Sequence, residues 1–325
     1  TEIYTLSLHD ALPIYIGITG SAGKTTTKEL TATILGSFAP CRQSFLSYNT
    51  LASVAGTIWY TKKSQRYCVA EVAASGPGTM DLSARLLKPD IAVITRIGRD
   101  HYSAYKNMEA LAAEKAKLVL ALPKEGIAVL NMDDPLVRNI GEGCNRQVLW
   151  FGESAGADLR LLEAHSRWPE PLILIFEYRN KTYEVHTQLH GTYMAASVLA
   201  ALGVALAADL PLDKAVAAAE KAKPAEGRMQ IVSDKKGVVF IRDDFKAPGW
   251  TIQNPFEFLR EAAAERKIAI IGTVSDTTGD DTEKYRKLSR QISEYADLAV
   301  FVGPHAHRAL RTHKNTILEI GRAHV

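Results

Sequence analysis

The sequence predicts an α/β protein of two units, each built on a mainly parallel sheet covered by helices. Three observations carry this. Short apolar runs alternate with segments of helical spacing along most of the 325 residues, the pattern of strand–helix–strand crossovers. Beyond a proline- and glycine-bearing stretch at 224–227 the same alternation starts again after an interval of different texture. The length suits two domains, each large enough for its own core.

Taken in order, residues 15–19 (YIGIT) read as a buried parallel strand, 20–23 (GSAG) as a turn, and Lys24 opens a segment with Leu30, Ile34 and Leu35 at helical spacing. Residues 44–59 are a polar loop running into a helix. Residues 67–73 (YCVAEVA) form a second buried strand with Glu71 embedded in it, followed by a turn at 75–78 and a short helix at 80–87. Residues 91–97 (IAVITRI) are a third strand, leading into Gly98, Arg99, Asp100 and His101. A strong helix covers 108–122, and a fourth strand at 126–130 ends in Asn131, Met132, Asp133, Asp134 and Pro135. From about residue 148 alternating pieces between 159 and 189 read as antiparallel hairpins. Helices follow at 193–208 and 212–221, then the 224–227 hinge. Residues 238–244, 267–272 and 298–303 are buried strands of the second α/β unit. No internal repeat or low-complexity tract is present.

Composition excludes several classes. Hydrophobic content of 46% and charged content of 23% are ordinary for a globular protein. A net charge of +3 is small for this length and gives no support for a nucleic-acid partner. Three dispersed cysteines argue against a disulfide framework and for a reducing, cytoplasmic setting. No stretch approaches the ~18 apolar residues of a membrane span, and the acidic start is not a secretory signal. The chain begins with Thr1, and residues 1–14 (TEIYTLSLHDALPI) resemble translated sequencing-adapter read-through, as does the tail 319–325 (EIGRAHV). Both are expected to be non-native flanks, which leaves a fragment cut just before its first strand and again within its last domain.

The stretch 15–30 (YIGITGSAGKTTTKEL) carries the chemistry. A strand, a glycine turn and a helix start, in that order, make an anion site, because unpaired first-turn N–H groups and the positive end of the helix dipole point at one spot. Gly20, Ser21, Ala22 and Gly23 form the loop, Lys24 can reach β- and γ-phosphates, and the Thr25 hydroxyl can ligate Mg²⁺, with Thr26 beside it. The strict G-x-x-x-x-G-K-[ST] pattern needs glycine at position 18, where Ile18 stands; the shorter G-x-x-G-K-T-T is present. An ordinary glycine turn leaves unexplained a lysine and three threonines in one first turn.

Other candidates fall at strand ends, where ligand-binding residues gather in a parallel sheet: Glu71 with Ser75, His101, and Asn131 with Asp133. An unpaired carboxylate in an apolar run is costly, so Glu71 is either satisfied by a salt bridge or N–H groups or neutralised by a divalent cation. Taken singly, His101 is more often a surface or capping histidine than a ligand, and Lys115 and Lys117 can be read as a solvated helix face.

In combination these motifs resemble one family. The series GITGSAGKTTTKE, VAEVAASGPG, VITRIGRDH, EKAKLV and LNMDD, continued by PAEGRMQIV (224–232) and RDDFKAP (242–248), looks like a Mur ligase, nearest to its dipeptide-adding branch, across nearly all of 15–315. Folylpolyglutamate synthase and cyanophycin synthetase share that core. The fold implied is a parallel-sheet P-loop central domain (15–225) plus a smaller, Rossmann-like α/β C-terminal domain (226–318), truncated. The resemblance implies ATP and two Mg²⁺ sites. Lys24 and Thr25 would hold the phosphates and first ion, Glu71 would be a second ligand of that ion, and His101 would help hold the other. Lys115 matches a lysine N-carboxylated in many members, with Lys117 a rival by proximity; carbamylation turns a cation into an oxygen ligand. Arg228 matches a hinge arginine near the nucleotide, and Asp244 a ribose-binding aspartate. The implied reaction is attack of a substrate carboxylate on the γ-phosphate, giving an acyl phosphate that an amine converts to an amide.

Implied partners are small-molecule carboxylate and amine substrates, with a UDP-muramoyl peptide and an amino acid or dipeptide as one such pair. A monomer with no nucleic-acid or membrane partner is expected. Three departures stand out. The family's Gly-x-His-Asn signature should fall at Gly191, but Tyr193 and Met194 replace its last two residues; Tyr193 is an aromatic able to touch adenine. The Asp-Asp-Tyr-Asn-Ala-Asn-Pro motif becomes Asp243-Asp-Phe-Lys-Ala-Pro248, where Lys246 resembles a phosphate-proximal lysine of the D-glutamate-adding branch. Arg96 stands where asparagine is common, adding charge beside the expected metal site. A Mur-like nucleotide-binding protein without ligation, a folylpolyglutamate- or cyanophycin-type ligase, and a plain P-loop ATPase are the alternatives.

Overall fold

The computed structural model describes residues 12–99, 104–105, 107–235, 237–246, 248–275, 281–309 and 316–318. The order is β1 (Ile14–Thr19), α1 (Lys24–Gly36), β2 (Cys41–Gln43), α2 (Leu51–Trp59), β3 (Tyr67–Glu71), α3 (Thr79–Leu87), β4 (Ile91–Ile94), α4 (Met108–Leu120), β5 (Ile127–Asn131), α5 (Pro135–Glu142) and β6 (Gln147–Gly152). The hairpin strands β7 (Leu159–Arg167), β8 (Glu170–Tyr178) and β9 (Lys181–His186) follow, then α6 (Ala195–Ala207) and α7 (Leu212–Ala219). The remainder is β10 (Gln230–Ser233), β11 (Val239–Arg242), α8 (Gln253–Glu261), β12 (Ile268–Ile271), α9 (Asp281–Ile292), β13 (Leu298–Phe301) and β14 (Thr316–Leu318).

One nine-stranded sheet, ordered β2-β3-β1-β4-β5-β6-β7-β8-β9, organises the first unit; it is parallel through β7, and the two hairpins extend it antiparallel. The hairpins therefore belong to the same sheet as the glycine turn at 20–23. One face packs on α1, α6 and α7, the other on α2, α3, α4 and α5. The alanine-rich α6 is buried along most of its length because small side chains let it lie close to the strands: a Cβ on Gly203 would fall 2.8 Å from Val129. Gly17 does the same for α4, since a Cβ there would meet Leu118 at 2.9 Å. That close approach brings Lys115, one turn earlier on α4, level with the end of β1.

The second unit is a three-stranded sheet, β12-β13-β14, parallel throughout, with a small core around Phe256, Tyr285, Ile292 and Phe301. The strand expected at 238–244 is a correction. β11 is shorter, half-exposed, and pairs antiparallel with β10 as a separate ribbon. A two-stranded ribbon has no second layer to bury both faces, so its apolar residues Val238 and Phe240 stay exposed. β2 and α5 were not anticipated. The first is three residues long, whereas the second carries its own start signal, Asp134 capping the Leu136 and Val137 N–H groups with Pro135 in the first turn. Residues 1–11 and 319–325 lie outside the described residues. Among those described, no helix is long and apolar enough to cross a membrane.

Helix α3 starts at Gly78 with no side-chain cap of its own. Glu114 on α4 serves instead, accepting from the Met80 N–H at 3.0 Å while pairing with Lys117 at 2.7 Å. Burial pushes the Glu114 carboxyl up, but the Lys117 ammonium and the Gly78 and Met80 N–H groups outweigh it and hold the group below its ordinary value of 4.5. A carboxylate whose folded value is depressed adds stability above its unfolded pKa and loses it as the pH falls through the folded one. Glu114→Gln should lower the stability of the first unit by about 1–2 kcal/mol at neutral pH. In urea melts at a series of pH values, the gap to wild type should narrow below about pH 4.5.

Candidate functional site

The residues at the C-terminal ends of β1, β3, β4 and β5 meet at one rim. β1 lies between β3 and β4, and the chain passes from β1 to β2 and β3 on one side before crossing to β4 on the other. That reversal is where open parallel sheets bind ligands. Gly20 and Gly23 take φ values of +150° and +79°, and Gly23 caps α1 without any side-chain hydrogen bond. Gly23, having no side chain, gives the first-turn N–H groups of α1 no cap of its own, as an anion site requires. A Cβ on Gly20 would sit 1.9 Å from the Thr95 hydroxyl, so no other residue fits there without displacing β4.

Lys24 Nζ donates to the Gly20 carbonyl at 2.8 Å, and Lys115 Nζ, fully buried, donates to the same oxygen at 3.1 Å. Two ammonium groups from different helices thus converge beside the loop. Thr25 Oγ1 donates to Glu71 Oε2 at 2.9 Å, and Asn49 Nδ2 donates to Glu71 Oε1 at 2.8 Å. The buried carboxylate is therefore satisfied by a hydroxyl and an amide rather than by a salt bridge. Asn49 lies in the loop before α2 and has no periodic signature, so sequence patterning does not find it. Lys117, in contrast, faces Glu114 on the α3 side. Helical phase separates the two lysines: Lys115 shares the buried face of Leu111, Leu118 and Val119, and Lys117 does not.

Not every expected residue offers its side chain. The Ser21 N–H donates to the Arg96 carbonyl at 2.6 Å and its hydroxyl to the Gly98 carbonyl at 3.1 Å. Thr26 is buried within α1, so it can meet an anion through its backbone. Ser75 is exposed. Asn131 supports Thr95, donating to its carbonyl at 2.8 Å, and Asp133 accepts from the Glu153 and Ser154 N–H groups, so both shape the rim. His101 lies outside the described residues. Among those described, no cluster of three or more His, Cys, Asp or Glu side chains is placed to hold a metal ion.

A cleft of about 370 Å³ opens beside Thr25 and Glu29 on one side and Arg228, Arg242, Asp244 and Phe245 on the other. The Arg228 guanidinium lies 4.7 Å from the Phe245 ring centroid, and Arg242 Nε donates to Asp244 at 3.1 Å. Lys246 is half-buried and does not line this cleft. Nor does Tyr193: its ring packs on Gly191, and its hydroxyl is buried with no hydrogen-bond partner near Arg228 and Asp243. Burial, helped by the Asp243 charge, pushes that phenol well above its ordinary range. Burial also pushes the Asp243 carboxyl up, with Arg228 and the Met229 N–H opposing it. Asp243 is thus the half-buried member of the aspartate pair and Asp244 the exposed one.

The Mur ligase middle domain matches residues 18–205. A UDP-N-acetylmuramoyl-tripeptide–D-alanyl-D-alanine ligase of Mycobacterium leprae is 24% identical over 94% of this chain and 64% of its own length. A UDP-N-acetylmuramate–L-alanine ligase of Desulforamulus reducens is 31% identical over 70% of this chain and 48% of its own. The chain thus spans between about a half and two thirds of the length of these curated relatives. Among solved structures, the MurF ligase of Thermotoga maritima in complex with ADP superposes with a TM-score of 0.82 at 24% identity, over 94% of this chain and 70% of that one. With the matched domain covering the phosphate loop, Glu71 and Lys115, the chain belongs to the Mur ligase family.

Proposed function

We propose that this chain is the nucleotide-binding core of an ATP-dependent carboxylate–amine ligase that works in peptidoglycan precursor synthesis. The observation that carries this is the convergence of Lys24 and Lys115 on the Gly20 carbonyl, beside an α1 terminus with no side-chain cap and a Thr25–Glu71 pair. The D-alanyl-D-alanine ligases among its relatives favour a UDP-muramoyl tripeptide and that dipeptide as the substrates. Residues 15–225 would form the ATP-binding domain and 226–318 the C-terminal one, with flanks at either end.

Thr25 and Glu71 suit Mg²⁺, a hard cation that takes one or two carboxylates together with phosphate oxygens and water. When bound, magnesium neutralises phosphate charge. Lys24 and the first-turn amides of α1 hold and orient the triphosphate, while Asn49 keeps Glu71 turned to the rim. Asp244 and Arg228, across the cleft, take the ribose side. Carbamylated Lys115 and His101 complete the site proposed for a second ion. A substrate carboxylate held at the γ-phosphate would take the phosphoryl group and release ADP, giving an acyl phosphate, and an amine would displace phosphate from it and lose a proton to leave the amide; the protein's part is positioning and the exclusion of water.

A second reading, nucleotide binding without ligation, draws on the altered Gly191 and Asp244 regions: Tyr193 and Met194 replace the family's His-Asn pair in sequence, and the Tyr193 hydroxyl is buried without a hydrogen-bond partner among the described residues. Phosphate release and amide formation in the full-length protein, assayed with UDP-muramoyl tripeptide and D-alanyl-D-alanine, separate the two. Binding of ATP with no amide across a panel of amines would favour the second.

Lys24→Ala should cut turnover by about 10²-fold or more; equal turnover would remove the loop from the mechanism. If Lys115 works as a carbamate, depleting bicarbonate should lower wild-type activity and adding it back should restore it, with no such response in Lys115→Ala. Asn49→Ala should weaken Mg²⁺–ADP binding about tenfold in calorimetry, as loss of one hydrogen bond to a charged group implies, and leave metal-free ADP binding unchanged.

A further inference from the structure

Trp250 sits in the segment that joins the β10–β11 ribbon to the second unit. Pro248 bridges to Ser275 beyond β12, and the Gly249 N–H donates to the Ser275 carbonyl at 3.0 Å, so this segment is tied to the C-terminal sheet. The indole reaches the other way and lies against Gly98, where a Cβ would fall 2.5 Å from its ring. The Arg96 guanidinium stands 5.8 Å from the ring centroid, within cation–π range. The indole N–H is buried without a hydrogen-bond partner among the described residues. Face contact and the cation therefore hold the ring, with no polar tie.

The same three residues, 96–98, support the phosphate loop. Ser21 donates to the Arg96 carbonyl through its N–H and to the Gly98 carbonyl through its hydroxyl. From below, Asp134 accepts the Ile97 N–H at 2.9 Å and Asn131 holds the Thr95 carbonyl. This short loop is thus pinned to the end of β5, with the phosphate loop on one side and the indole on another. A shift of the indole against Gly98 acts on the loop whose carbonyls accept from Ser21.

We propose that Trp250 is a positioning residue: seated on Gly98 beside Arg96, it couples attachment of the C-terminal unit to the geometry of the phosphate loop. The nucleotide consequence rests on the nucleotide-binding reading above; the mechanical one does not. Gly98 is then required to be glycine because a methyl group there evicts the ring. Arg96, which places charge near the rim by sequence, acts on the indole.

The test uses the full-length protein in two arms. In the nucleotide-free protein, amide hydrogen exchange at Ser21 should accelerate about tenfold or more in Trp250→Ala and in Gly98→Ala, and less in Arg96→Gln, which removes only the cation. Combining Arg96→Gln with Trp250→Ala should add nothing to Trp250→Ala alone. In the second arm, ADP affinity by calorimetry should fall in the same order. A structural contact alone would lower the melting temperature while leaving Ser21 exchange and ADP affinity at wild-type values, and that result overturns the proposal. Should Trp250→Ala fail to fold, Arg96→Gln, an exposed position, decides on the same exchange readout. If the wild type binds no ADP, the nucleotide reading fails, and Ser21 exchange still decides whether Trp250 governs the loop.

Discussion

The Gly20 carbonyl accepts hydrogen bonds from two lysine ammonium groups that belong to helices far apart in sequence, and much of the site's geometry follows from that meeting. Lys24 reaches it because α1 begins directly after the loop. Lys115 reaches it only because Gly17 lets Leu118 press against β1, which draws α4 onto the sheet. Gly20 in turn leaves room for the Thr95 hydroxyl, which donates to the Ala22 carbonyl at 2.6 Å and closes the loop onto β4. Two missing side chains in β1 and its turn therefore set the spacing of three secondary-structure elements.

The acidic half of the site follows a different rule. A carboxylate buried at the end of β3 must be satisfied before any ligand arrives, and Thr25 and Asn49 do so with neutral donors. Neutral donors leave the charge of Glu71 in place, whereas a lysine or arginine partner would cancel it. The nearby cation Lys28 illustrates the contrast, since it is fully buried and committed to Glu29 and to the Ser44 and Leu46 carbonyls. It pins the loop carrying Asn49 to α1 and offers nothing to a ligand.

Much of this was legible in the sequence, and the remainder was illegible for definable reasons. Strand–turn–helix order, the embedded Glu71 and the alternation of elements depend on local pattern, which a chain displays residue by residue. Asn49 could not be found that way, because its role comes from a loop folded back over β3. Lys115 and Lys117 were separable in principle: the 111, 115, 118 spacing is the buried face of an amphipathic helix. The exposed ribbon of β10 and β11 misled, because an apolar run looks the same whether a second layer covers it or not. Tyr193 is marked in the sequence only by its place after Gly191; the burial of its hydroxyl near Arg228 and Asp243, at the junction of the first sheet with the ribbon, comes from the fold and not from local pattern.

That junction bears on how the two units share one task. The cleft beside Thr25 takes its other wall from Arg228, Arg242, Asp244 and Phe245, on and beside the β10–β11 ribbon, so the first sheet does not enclose it by itself. Arg228 stands at the centre of this wall, with Phe245 against its guanidinium and the charges of Asp243 and Glu71 acting on it. A cation placed between an acidic group of the first sheet, Glu71, and one beside the ribbon, Asp243, transmits displacement of one to the electrostatics of the other, because a shift of ångströms at partial burial changes the interaction far more than it would in water. The seat of Arg228 beside Asp243 and Phe245 is therefore part of the cleft wall itself, and the apolar seat of Trp250 beside Gly98 is a further contact between the chain beyond β11 and the rim.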